Sequence, residues 1–236
     1  MTDGAARARG GFGGWKTAAA AGLLGALVGG GVVAYASRES VRDYLLENPE
    51  VLPEAMDRLR SREAAKIVSA NRTALERPFG SAWAGAADGD VVLVEFFDYA
   101  CGYCRKSNAD IDRLLREDPR LKVVWREWPV LGPDSEAAAR ASLAAARAGR
   151  FKPFYDTLFA AGRPTPEALA KTRSAVGVAG ELPAAVADPE LARNFELARD
   201  IEATGTPTFV VGDQILQGAV GYEALKEAIR EARAKG

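Results

Sequence analysis

The sequence predicts an α/β domain with a helical insertion, set behind an N-terminal apolar segment and an α-helical stalk. Three observations carry that expectation. The run Val91 to Phe97 is rich in β-branched and aromatic residues. It passes within a few residues into a helical pattern, Arg105 to Asp118, with apolar Ile111, Leu114 and Leu115. A second such run, Leu121 to Glu127, follows that helix and is the natural parallel partner of the first in a β-α-β unit. After a helix-rich stretch, two short strands and an amphipathic helix close the chain, over Thr208–Val211, Gln214–Leu216 and Tyr222–Ala234.

Taken in order, residues 1–37 form the first segment. Arg7, Arg9 and Lys16 stand against a single Asp3, and from Thr17 to Ser37 there is no charged residue. A span of that length, about 20 residues, crosses a bilayer. It reads either as an uncleaved anchor with its basic side inward, or as a secretory signal with Ala34-Tyr35-Ala36 as the cleavage site. Both readings put the remainder outside the cytoplasm, in the periplasm, and as an anchor the segment holds it to the inner membrane.

Residues 38–77 read as the stalk. Ser40 and Asp43 have capping spacing for a short helix through Glu47. A second helix starts at Pro49 or Pro53 and ends near Leu75, with Leu52, Met56, Leu59, Ala64, Ile67 and Val68 at three- and four-residue spacing. Its other faces are dense in charge. A narrow apolar seam of that kind fits either packing against the following domain or self-association into a homo-oligomer.

Residues 78–236 read as the α/β domain. Ser81 to Ala84 is an expected edge strand, and Ala87-Asp88-Gly89-Asp90 is a turn into the Val91 strand. The insertion runs from about 132 to 203. Asp134 is the expected cap of a helix to Ala148, followed by helices over Phe151–Ala160, Pro166–Val176 and Pro189–Ala203, the last capped by Asp188. Phe151, Phe154, Tyr155 and Phe159 keep helical spacing and read as core.

Composition narrows the chemistry. The net charge of −1 and the lack of a basic, aromatic-interleaved patch argue against nucleic acid as a partner. With two cysteines and no histidine, a Ser-His or Cys-His hydrolase is excluded and a structural zinc site lacks ligands. Cys101 and Cys104 stand where a strand delivers them to the first turn of a helix, whose free N–H groups and dipole stabilise a thiolate. This is the sequence signature of a redox pair that needs neither metal nor cofactor. Cu(I), which accepts two soft ligands, is the alternative.

The stretch Glu95-Phe96-Phe97 with Cys101-Gly102-Tyr103-Cys104, and the later Gly205-Thr206-Pro207-Thr208-Phe209-Val210, resemble the active-site motif and cis-proline loop of DsbA-like thiol–disulfide oxidoreductases of the thioredoxin superfamily. Tyr44 to Leu52 resembles the N-terminal segment of oligomeric, ScsC-like members. The resemblance implies a thioredoxin fold with a helical insertion. Cys101 is then the nucleophile, Cys104 the resolving thiol, Glu95 its proton acceptor and Pro207 the cis-proline facing them. Thr206, Gly102 and Tyr103 become substrate-binding positions, Thr206 through its backbone. Asp98 is the rival carboxylate. Gly-Tyr between the cysteines is also the dipeptide of periplasmic disulfide isomerases, which favours isomerase over oxidase. The implied partners are unfolded or misoxidised proteins and a membrane redox protein that resets the cysteines.

Overall fold

The structure is a computed structural model that describes residues 41–179 and 182–235. The segment read as anchor or signal lies outside the described residues. Among those described, no helix is long and apolar enough to cross a membrane. The chain divides into two compact units, Met1–Arg58 and Leu59–Gly236. The first contains a short helix over 41–47 (α1) and the start of α2, which runs Val51–Glu76. Pro53 falls within the first turn of α2, where an N–H has no intrahelical partner, so it does not delay the start. In this unit Val41, Tyr44, Leu46, Leu52 and Met56 all expose more than half of their surface.

The second unit is built on one five-stranded sheet of order β1-β3-β2-β4-β5. Its strands are β1 (Trp83–Gly85), β2 (Val91–Phe97), β3 (Leu121–Glu127), β4 (Thr208–Val211) and β5 (Gln214–Gln217). β2 and β3 are parallel and joined by α3 (Gly102–Glu117), while β1, β4 and β5 pair antiparallel. Gly212 takes φ +57° in the β4–β5 turn, a conformation that disfavours side chains, and an added Cβ there meets Ala232 Cβ at 2.6 Å.

Both sheet faces are covered, so the central strands are apolar on both sides. Alternation along β2 sends Leu93 and Phe97 to one core, with Ile111 and Leu114 of α3, Phe151 and Phe154 of the insertion, and Leu225 and Ile229 of α8 (Tyr222–Lys235). Val94 and Phe96 face the other core, with Val68 and Leu75 of α2 and Leu197 of α7 (Ala184–Asp200). Arg126 of β3, 2% exposed, donates to the carbonyls of Ala74, Leu75 and Arg77 and to Asn194 Oδ1. A buried guanidinium thus satisfies the free carbonyls where α2 ends.

The insertion comprises α4 (Pro133–Arg147), α5 (Phe151–Ala161), α6 (Pro166–Val176) and α7. Two caps differ from expectation. α4 begins at Pro133 with Gly132 in the N-cap position, and Asp134 lies in its first turn, where its charge suits the dipole. α7 begins at Ala184 and runs through Pro189, so Asp188 is not a cap and instead pairs with Arg140. The extra turn buries Ala187 in a cluster with Ala139, Leu143 and Leu191, which offsets the backbone bond that Pro189 cannot make. The edge strand also begins later than expected, at Trp83.

Candidate active site

β2 ends at Phe97, and the turn Asp98-Tyr99-Ala100 carries the chain to Cys101, the N-cap residue of α3. Asp98 fixes that turn. Its Oδ1 accepts from Ala100 N at 2.8 Å, and its Oδ2 accepts from Val130 N and Leu131 N at 2.8 and 3.0 Å. With three backbone donors and 2% exposure, this rival carboxylate has a structural occupation.

Cys101 is 7% exposed and Cys104 is wholly buried, and both are free thiols. Cys101 takes the N-cap position of α3, where a side-chain oxygen usually accepts from the second or third helical N–H, but its sulfur makes no cap hydrogen bond. The Cys104 thiol, then Thr206, then the backbone N–H groups of Cys104 and Tyr103 hold the Cys101 thiol down to about 5. Cys104 is pushed far in the opposite direction, first by burial, then by its bond to Cys101 and the nearby charge of Glu95. Two thiols three residues apart therefore differ strongly in acidity: one is a thiolate at neutral pH, the other a thiol.

The Thr206–Pro207 peptide is cis. It sets Thr206 O 3.2 Å from Cys101 Sγ, which donates to it as a thiol. Pro207 is buried and Thr206 half-buried. Gln217 Oε1 ties down the loop by accepting from Thr204 N at 3.1 Å and Thr208 Oγ1 at 2.9 Å. Tyr103 is 68% exposed beside the cysteines, and a Cβ on Gly102 would meet nothing.

Glu95 shares the parity of Leu93 and Phe97, so it points to the α3 side of the sheet. It is fully buried, and burial pushes its carboxyl up to about 8 against the pull of Tyr155 and Trp125. Tyr155 Oη lies 3.1 Å from Glu95 Oε2 and 2.6 Å from Asn108 Oδ1, while Glu95 Oε1 has no hydrogen-bond partner within 3.5 Å among the described residues. The structure thus brings Cys101, Cys104, Glu95, Thr206 and Pro207 together around the mouth of α3.

Four residues that matter here carry no sequence signal of their own. Tyr155 reads as core by helical spacing; it does pack on Phe97 with ring centroids 5.1 Å apart, yet its hydroxyl also meets Glu95. Asn108 and Gln217 are ordinary polar positions until the fold places them. Glu127 is a third buried acid, raised to about 7 by burial, and it accepts from Ser142 Oγ, which bonds the Tyr99 hydroxyl.

A thioredoxin-type sheet here presents a low-pKa thiol at a helix mouth, with a buried partner thiol and a cis-proline loop beside it. Residues 92–230 match the model for the DSBA-like thioredoxin domain, and the chain belongs to that family. Residues 38–66 match the copper resistance protein ScsC N-terminal domain. Among solved structures, a linker-deletion mutant of ScsC from Proteus mirabilis is 29% identical, covering 84% of this chain and 94% of that one, with a TM-score of 0.70. A periplasmic thioredoxin-like protein from Salmonella enterica serovar Typhimurium is 25% identical, covering 64% and 89%, with a TM-score of 0.61. Among curated proteins, the Na(+)/H(+) antiporter NhaA 1 of Salinispora arenicola is 29% identical over 167 residues, 63% of this chain and 24% of the antiporter. The chain thus spans a quarter or less of the length of the curated relatives it matches.

Proposed function

We propose that the protein is an exported disulfide isomerase that rearranges wrong disulfides in protein substrates, with Cys101 as nucleophile. The observation that carries this reading is the Cys101 sulfur at the mouth of α3, its acidity raised first by the Cys104 thiol, set beside the cis Thr206–Pro207 peptide. The thiolate attacks one sulfur of a substrate disulfide, forming the Cys101–substrate bond and releasing the other sulfur as a thiolate. In isomerisation, a substrate thiolate then attacks this mixed disulfide and regenerates Cys101. If the substrate stalls, Cys104 resolves it: Glu95 takes the Cys104 proton, the Cys104 sulfur bonds Cys101, and reduced substrate leaves. The resulting disulfide is reset by a membrane redox partner. An extended substrate segment pairs with the Thr206 backbone beside Pro207, flanked by Gly102 and exposed Tyr103.

Export is supported by the charge-free stretch Thr17–Ser37 as inner-membrane anchor or cleaved signal, and by the periplasmic relative from Salmonella. The stalk of residues 38–77, preceding the catalytic domain of residues 78–236, is proposed to build a homo-oligomer. Its exposed Tyr44, Leu46, Leu52 and Met56 support that, as does the ScsC match. Reactivation of a scrambled-disulfide protein tests the function: the parent chain is expected to restore activity and Cys101→Ser to restore none. Fast oxidation of reduced substrate without reshuffling would make it an oxidase. The copper-resistance description of the matching N-terminal family favours one second reading, Cu(I) held between Cys101 and Cys104. Stoichiometric copper quenching of thiol reactivity without turnover on disulfides would select it.

A further inference from the structure

We propose that Tyr155, on the insertion helix α5, is the proton relay between Glu95 and solvent. Its hydroxyl bridges the buried carboxyl to Asn108 on α3. The inference rests on the reading of Glu95 as the proton acceptor for Cys104.

A buried base that accepts a proton each cycle must return it to solvent before it can act again. Glu95 itself has no exposed surface. Its Oε2 meets Tyr155 Oη at 3.1 Å, and that hydroxyl continues at 2.6 Å to Asn108, which is half-buried on the flank of α3; Trp125, the other side chain that pulls on the carboxyl, carries no exchangeable acid proton toward solvent. The tyrosine has one hydroxyl hydrogen and two acceptor oxygens beside it. The conflict is resolved when Glu95 is protonated: the carboxylic acid donates to Tyr155 Oη, which donates to Asn108 Oδ1. Loss of the Tyr155 proton to solvent at Asn108, with the Glu95 proton taking its place, leaves Glu95 ionised and Tyr155 intact. Nothing is oxidised or reduced.

The surroundings keep this path specific. The groups facing Glu95 are Tyr155, Trp125, Cys101, Cys104, Tyr99 and Asp112. Those facing Tyr155 are Glu95, Cys104 and Tyr99, with Lys152 Nζ 5.8 Å from its ring. Lys152 is held by Asp112 and Asp156 at 3.0 and 2.6 Å, so it is a paired cation on the solvent side. Tyr155 acts on the cysteines only through Glu95 and is a positioning residue. It also joins the insertion to the redox centre, a link that the helical spacing of its aromatic neighbours conceals.

The test compares the full chain with Glu95→Gln, Tyr155→Phe and Asn108→Leu. Two readouts are taken: the pH profile of single-turnover resolution of a mixed disulfide with glutathione, and the multiple-turnover rate against buffer concentration. Tyr155→Phe is expected to raise the pH midpoint of resolution and lower turnover at neutral pH by about fivefold. Asn108→Leu is expected to leave that midpoint in place, lower turnover by about threefold, and make the rate rise with buffer concentration as buffer replaces the route. Parent-like midpoint and turnover in Tyr155→Phe would overturn the relay, and so would parent-like turnover in Asn108→Leu, whose surface position keeps the test open if the tyrosine variant misfolds. Parent-like rates in Glu95→Gln would instead sink the underlying role of Glu95.

Discussion

Cys101 and Glu95 are two acids displaced in opposite directions by one small region. The Cys101 thiol is lowered from 9.0 to about 5, so the reduced state gains stability that is full above pH 9 and lost as pH falls through 5. Thiolate absorbance of the reduced protein is accordingly expected to titrate with a midpoint near 5, and to vanish in Cys101→Ser. Glu95 is raised from 4.5 to about 8, so folding favours its neutral form; the associated stability is full below 4.5 and lost as pH rises through 8. A displacement of that size disfavours the ion by on the order of 5 kcal/mol. Glu95→Gln is therefore expected to raise the unfolding free energy measured in urea at alkaline pH by at least ~1 kcal/mol, and to leave it unchanged near pH 4. An equal effect at both pH values would contradict a buried, raised carboxyl. At this scale the sequence displayed the cysteines, the acid inside an apolar strand and Thr206-Pro207. It did not display Tyr155, because a hydroxyl on an aromatic ring leaves helical periodicity unchanged.

Among the elements, β3 and β4 are legible to the residue, since alternation and β-branching are local signals, while α3 begins at Gly102, three residues before the expected Arg105, and the edge strand begins two residues late at Trp83. The ends of α4 and α7 are also less legible. Asp134 and Asp188-Pro189 have capping grammar, but burial of Ala187 against Ala139 and Leu143 is a tertiary gain that outweighs it. Arg126 is the clearest case of a tertiary device hidden in a strand. It reads as one charge in L-K-V-V-W-R-E, yet it closes the C-terminal end of α2 from beneath. Burial lowers its pKa to about 10, which still leaves it charged at neutral pH. Arg126→Met strands the carbonyls of Ala74, Leu75 and Arg77, and is expected to destabilise the domain by about 3 kcal/mol in urea unfolding. Loss of less than ~1 kcal/mol would show that solvent satisfies those carbonyls equally well.

For the whole molecule, the proposal joins a redox unit to an oligomerising stalk. Leu52→Glu with Met56→Glu, both on exposed positions, is expected to yield monomers by light scattering and to lose reactivation of scrambled substrate while keeping thiolate chemistry at Cys101. Reactivation by a monomer would detach the isomerase activity from the stalk. The central claim, though, is that Cys101 attacks and Cys104 resolves. The most direct measurement is mass spectrometry of Cys104→Ala after mixing with a disulfide-bonded protein substrate. A stable, stoichiometric mixed disulfide on Cys101, absent from the parent chain, is the expected result. No adduct, or an equal adduct in the parent chain, would contradict the assigned roles.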